Sequence, residues 1–214
     1  MTTTAPSARE RLIEAAVAAF AEHGFAATTT RDIASRAGMS PAAVYVHYDS
    51  KESLLFTVSL TGHRTALEVI RSAAATTTDP VARVRAMVHA FSLWHAENSR
   101  IGRIVQHEHR SLSPAHREEV SIVRREIERT MQDALVDGVD QGVLDVEDVL
   151  GTAFSLLSLS VDLMRWFEPG GSRSGAELAA LHADLAVRMT AVGSRTATRG
   201  ASHASGAGAP GFGG

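Results

Sequence analysis

Three groups of side chains along this 214-residue chain have the types and spacing to do chemistry. The first is His107-Glu108-His109, with His95 and His116 nearby, which invites a metal-bound or hydrolytic centre. The spacing argues against one: on a helix, positions i and i+2 point about 200° apart, and the order H-E-x-x-H, which puts two imidazoles on one face, is absent. Neither G-x-S-x-G nor a phosphate-binding loop occurs, and no strand–glycine–helix dinucleotide motif is read. No catalytic residue, metal ligand or cofactor is therefore assigned. The second group is a polar set near the N-terminus, Thr29, Thr30, Arg31, Ser40, Tyr45, His47 and Lys51. Its chemistry is hydrogen bonding to an outside partner. The third joins bulky apolar residues, Phe91, Trp94, Met164, Trp166 and Phe167, to a basic region of Arg100, Arg103, Arg110, Arg124 and Arg125. It has the makings of a pocket for a small apolar molecule, and equally of solvated faces with Glu126 and Glu128 as ion-pair partners.

The second group lies on the stretch that organises the chain, Thr28–Leu55, reading TTTRDIASRAGMSPAAVYVHYDSKESLL. Two short helical patterns flank Gly38-Met39-Ser40 and a third begins at Ser50-Lys51-Glu52, so the stretch reads as a helix-turn-helix feeding a longer helix. Thr29 is placed to cap the first helix, with Asp32 favouring its positive end. Ile33, Ala34 and Ala37 form its inward stripe. Gly38 suits the left-handed conformation that ends a helix, and Ser40-Pro41 supplies a cap followed by proline where a missing N–H costs nothing. The second helix is expected from Pro41 to His47, with Val44 and Tyr48 facing the protein. Ser40, Pro41, Ala42, Ala43, Tyr45, Val46 and His47 are left for the outside or the rim. No Arg, Asn or Gln is there for bidentate base contacts, so reading of DNA would rest on His47, Ser40, methyl contacts and duplex shape.

These residues resemble the DNA-binding domain of the TetR (tetracycline-repressor-like) family, in the Thr-rich cap, R-D-I-A, A-G-M-S, Y-x-H-Y and S-K-E-x-L. The resemblance implies a DNA-binding transcriptional regulator, most often a repressor, that reads a palindromic operator as a homodimer. It implies a phosphate contact for Lys51 and DNA contacts for Thr29, Thr30, Arg31, Ser40, Pro41, Ala42, Ala43, Tyr45, Val46 and His47. A competing reading is a small-molecule binding or interaction protein with a vestigial head.

Composition bounds the rest. With 44% hydrophobic residues the chain can bury a substantial core. No apolar run reaches the ~18 residues of a membrane helix and no signal-peptide pattern opens the chain, so a soluble, cytoplasmic protein is expected. There are no cysteines, hence no disulfide or thiolate metal site. Net charge is −3, and Met1–Phe56 carries five basic residues (Arg9, Arg11, Arg31, Arg36, Lys51) against six acidic ones (Glu10, Glu14, Glu22, Asp32, Asp49, Glu52). Affinity for DNA must then come from a few placed contacts rather than a strong field. Lys51 is the only lysine, beside twenty arginines.

Along the chain, residues 1–6 read as a flexible arm and Ser7–His23 as a helix ended by Gly24. Further helices are expected over 51–75, 81–98, 101–109, 115–136, 146–167 and 176–192, the last opened by a Ser174/Glu177 capping box. No strand signal is present, so the fold is all-α: a three-helix head over 1–50, a six-helix ligand-binding and dimerisation domain over 51–192, and a Gly/Ala-rich disordered tail over 193–214. The stretch 146–167 is almost uniformly apolar and needs cover on two sides. The family resemblance implies a four-helix bundle made by the last two helices of each protomer, and a small-molecule effector bound in the second domain. Phe91, Trp94, Arg103, His107, Met164 and Trp166 are the candidate ligand-binding residues. The stretches Trp94–Leu112 and Arg165–Gly171 further resemble regulators of fatty-acid and steroid catabolism, which sense acyl-CoA thioesters.

Overall fold

The computed structural model describes residues 6–193; the expected arm and disordered tail fall on 1–5 and 194–214, outside the described residues. The fold is helical: α1 (Ala8–Ala27), α2 (Thr30–Arg36), α3 (Pro41–His47), α4 (Lys51–Ala74), α5 (Pro80–Glu97), α6 (Ser99–Glu108), a single 3-10 turn, α7 (Pro114–Asp140), α8 (Val149–Val161), α9 (Leu163–Trp166) and α10 (Gly175–Thr190). Extended pairing among the described residues is confined to one isolated bridge, Leu144 to Ala191.

Local chemistry sets most boundaries. Ser7 with Glu10, Thr29 with Asp32 and Ser174 with Glu177 form reciprocal capping boxes, and each satisfies two amides that a helix start leaves without partners. Asp79-Pro80, Ser113-Pro114 and Ser40-Pro41 pair a side-chain cap with proline at the first turn. Within α1 the helix breaks at Gly24, whose φ of 77° lies in the left-handed region. The chain turns there, and the Thr28 hydroxyl donates to Gly24 O at 2.7 Å, holding the turn shut.

Leu12, Ala16, Phe20, Ile33, Val44, Tyr48 and Leu54 close a small core between α1, α2, α3 and the start of α4. That core runs without interruption into a larger one along α4, α5, α7 and α8. α10 packs along α5, and a buried polar link ties both to α8: Ser92 Oγ lies 2.8 Å from Ser160 Oγ and 3.1 Å from His182 Nδ1.

Two segments differ from expectation. α7 continues to Asp140, past the expected end near Val136, because Gly138 lets Leu144 fold back against the helix. The apolar stretch 146–167 starts later, at Val149 under an Asp148 cap, and is split at Asp162. There the Asp162 carboxylate pairs with Arg165 Nε at 2.9 Å and the backbone tightens from an i→i+4 to an i→i+3 bond, leaving α9 as one turn.

A Cβ on Gly138 would sit 2.3 Å from Leu144 Cδ1 and 3.2 Å from its Cβ. Leu144 is only 4% exposed and has nowhere to go. Gly138→Ala is therefore expected to cost about 1–3 kcal/mol of stability, seen as a lower denaturation midpoint with an unchanged slope; an unchanged midpoint would show that the turn yields freely.

Candidate nucleic-acid interface and ligand cavity

The interface begins with what α3 does not need for folding. Val44 and Tyr48 are buried, and Arg9 sits 5.2 Å over the Tyr48 ring, fixing the helix against α1. On the other side Tyr45 is 57% exposed and Val46 78%. Pro41 and Ala42 are exposed with them, and Ala43 and His47 lie half-buried at the rim. Tyr45 Oη is 3.1 Å from Thr30 Oγ1, which joins the start of α2 to the outer face of α3. Arg31 is exposed beside it. The Thr29 hydroxyl donates to Asp32 at 2.7 Å and its cap accepts from the Asp32 amide, so its polar atoms serve the helix. Ser40 Oγ similarly accepts from Ala43 N. Thr30, Arg31, Pro41, Ala42, Tyr45, Val46 and His47 thus form one surface.

Lys51 stands apart from that surface. Its ammonium donates to Phe25 O at 2.5 Å, Thr28 O at 2.7 Å and, more weakly, Ala26 O at 3.4 Å, and lies 4.3 Å from the Phe25 ring centroid. These carbonyls follow the break at Gly24, where the end of a helix leaves acceptors without partners. In the structure all three donors of Lys51 are turned onto the protein's own backbone rather than outward toward a phosphate.

Behind the head, the first turn of α4 is tied to α7. Glu52 accepts from the Ser113 amide at 2.8 Å and from His116 Nδ1 at 2.8 Å, and the His116 ring stacks on Phe56 with centroids 3.8 Å apart. Nothing in the sequence signalled this link.

A half-enclosed cavity of about 440 Å³ lies between α4, α5, α6, α7 and α8. Its walls include Phe91, Trp94 and Met164, as expected of the apolar candidates, together with Gly62, His63, His95, His109, Arg124 and Glu128. The other three candidates lie elsewhere. Arg103 and His107 face the opposite way, lining a cleft between α6 and α1 with Phe20, Glu22 and Gly24. Trp166 is 49% exposed on α9, away from the cavity. Met164 packs so closely on α6 that a Cβ at Gly102 would overlap its sulfur.

His63 and His95 were missed as pocket residues, although both follow by four an acceptor carbonyl on their own helix. His63 Nδ1 donates to Ser59 O at 2.7 Å and His95 Nδ1 to Phe91 O at 2.6 Å. Burial lowers the pKa of His63, and that of His95 to about 4; the Arg124 guanidinium and His109 push His63 further down. Burial, with Arg124 and Arg117, also lowers His109. Among the described residues no three of His, Asp or Glu converge as a metal site.

The depressed pKa of His95 has a definite sign. The unfolded chain takes up a proton near 6.5 and the folded one only near 4, so stability is full above about pH 6.5 and falls as pH drops through that window. At pH 5 the loss is ~2 kcal/mol. Thermal melts at pH 7.5 and pH 5 should show this decline, and His95→Gln should flatten it; an equally steep decline in the variant would place the titration elsewhere.

Comparison with known proteins agrees with this architecture. Residues 12–58 match the model described as bacterial regulatory proteins, tetR family, and residues 77–190 match that of the tetracyclin repressor-like C-terminal domain. The chain is 33% identical over 172 residues to the HTH-type transcriptional repressor KstR2 of Mycobacterium tuberculosis, covering 77% of this chain and 84% of that one. Among solved structures, a tetR-family regulatory protein from Rhodococcus RHA1 superposes with a TM-score of 0.82 at 36% identity, over 87% of this chain and 98% of that chain. AibR, solved in complex with isovaleryl coenzyme A and operator DNA, shares the fold with a TM-score of 0.76 at 24% identity, over 84% of this chain and 97% of that chain.

Proposed function

The chain belongs to the tetR family of bacterial regulatory proteins and is a DNA-binding transcriptional regulator, and from that premise we propose that it is a homodimeric, cytoplasmic repressor released from a palindromic operator by a small apolar or acyl-CoA-like effector. The observation that carries the proposal is the double engagement of α4. At its start α4 holds the head, through Lys51 and the last turn of α1 with its cap Thr28; at its middle Gly62, His63 and Ala66 form a wall of the cavity. A molecule that fills the cavity displaces α4, and the head moves with it. A coupling of ~1–3 kcal/mol is enough to change operator occupancy.

Contacts from Thr30, Arg31, Ser40, Pro41, Ala42, Ala43, Tyr45, Val46 and His47 serve the operator, with Thr29 ordering α2. The two heads would meet half-sites about 34 Å apart. The dimer forms through α8 and α10, on which Leu150, Leu181 and Met189 are exposed, with Phe154 at the cavity's edge; large apolar side chains left exposed on both helices favour a surface that another protein covers. The cavity is of a size for a modest acyl or ring system, with Arg124 as the cation at its wall; the nucleotide of a coenzyme A thioester would stay outside. Isovaleryl coenzyme A is what AibR holds, and KstR2 is a repressor. No helix among the described residues is long and apolar enough to cross a membrane.

A gel shift with the DNA flanking the gene tests the proposal. Wild type shifts the fragment, Tyr45→Ala loses the shift, and a panel of CoA thioesters contains one that releases the DNA. No shift by wild type would favour the vestigial-head reading, and a shift that every thioester leaves intact removes the acyl-CoA effector.

A further inference from the structure

The cavity wall carries two acceptors that nothing in the protein satisfies. In both His63 and His95 the partner of Nδ1 is a carbonyl oxygen, which can only accept, so Nδ1 carries the proton and Nε2 is left with a lone pair. Protonating Nε2 as well is opposed by burial at both rings and, at His63, by the Arg124 guanidinium. His95 is 4% exposed and fenced by the edges of Phe91 and Trp94, with ring centroids 4.2 and 4.9 Å away. Gln106, Ser158 and Arg124 also line the cavity, but among the described residues no donor reaches Nε2 of either ring, whose hydrogen bonds all run through Nδ1. A purely hydrocarbon ligand would strip water from these nitrogens and give nothing back, at a cost comparable to an unmade buried hydrogen bond.

We infer that the effector carries a hydroxyl group in its buried part, donated to the free nitrogen of His63 or His95, so that the cavity selects hydroxylated apolar molecules over their plain hydrocarbon counterparts. The inference rests on the reading of this cavity as the effector site. It narrows the effector from any small acyl compound to one whose carbon skeleton has been hydroxylated or whose ketone has been reduced. Sites built to pair a hydroxyl reject the analogue without it more strongly than apolar pockets reject an extra methylene.

Isothermal titration of the full-length protein with decanoic acid, and with hydroxydecanoic acids bearing the hydroxyl near the carboxylate, at mid-chain or at the far end, tests this directly. At least one hydroxy acid should bind about tenfold more tightly than decanoic acid, equivalent to ~1.4 kcal/mol. His63→Phe, at a half-buried position that tolerates the ring, and His95→Phe keep the ring shape without the acceptor; in at least one of them the preference should vanish while decanoic acid still binds. Equal binding of all the acids by wild type overturns the inference, as does a preference that survives in both variants. If none of the acids binds at all, the failure lies one level down, in the cavity's assignment as an apolar effector site.

Discussion

Replacing Lys51 by methionine lowers the thermal unfolding midpoint by about 4–8 °C and removes operator binding. The argument starts from the ammonium's three carbonyl partners, on Phe25, Ala26 and Thr28, and its place beside the Phe25 ring. Methionine matches the stem but donates nothing. The loop after Gly24 then loses the charge that neutralises its carbonyls, a loss of about 2 kcal/mol for partly solvated charge-assisted bonds, and each kcal/mol moves the midpoint of a domain of this size by about 2–4 °C. Because that loop leads directly into the Thr29 cap of α2, the interface surface is disordered along with it. Lys51→Arg repairs this poorly, since a planar fork does not converge on three carbonyls as an ammonium does. Circular dichroism melts paired with gel shifts decide the case: loss of DNA binding with an unmoved midpoint would mean that Lys51 acts on the phosphate backbone itself.

The double variant Leu150→Glu, Met189→Glu becomes a monomer and its operator affinity falls at least ~100-fold. Both side chains are half-exposed or more, 66% and 50%, so a folded protomer loses little by the change. Across the proposed interface the same carboxylates would be buried without partners and would face their own symmetry mates, which association does not tolerate. Two heads joined in one body bind a palindrome with an effective concentration that separate heads lack, and the factor so lost is ~10²–10⁴. Light scattering behind a sizing column reads the oligomer and the gel shift the affinity. A variant that stays dimeric with wild-type melting behaviour would move the interface away from α8 and α10.

The parts of the fold that depend on neighbours in sequence were readable from it. Caps such as Thr29/Asp32 and Ser174/Glu177, and proline after Ser40, Asp79 and Ser113, act within one turn of helix. The inward set of α3 followed from its period. What depended on how side chains pack or pair in three dimensions, even a few residues apart, was not readable. α7 overran its expected end because a glycine is welcome where Leu144 packs on it, and 146–167 was split by an aspartate whose partner lies only three residues on. On α6 the choice between cavity and head is a matter of rotation about a short axis: Ile101, Gly102 and Val105 turn one way, Arg103 and His107 the other. His95 was singled out only as a doubtful metal ligand, and His63 not at all, because a carbonyl-tethered imidazole leaves no pattern beyond a lone histidine among apolar residues. The direction of the Lys51 ammonium, likewise, is set by a loop 25 residues away.

The head's few cations are largely occupied at home. Lys51 holds backbone carbonyls, Arg36 pairs with Glu22, and Arg9 lies over Tyr48, which leaves little positive charge to displace the ions condensed along a duplex. Salt weakens protein–DNA complexes in proportion to the number of phosphates neutralised, by a slope of roughly −0.9 per phosphate on logarithmic axes. A complex whose one free interface cation among the described residues is Arg31, the rest being Tyr45, Val46, His47 and helix ends, has a shallow slope. In the proposed repressor, operator occupancy would then change little with ionic strength and be governed by the effector instead.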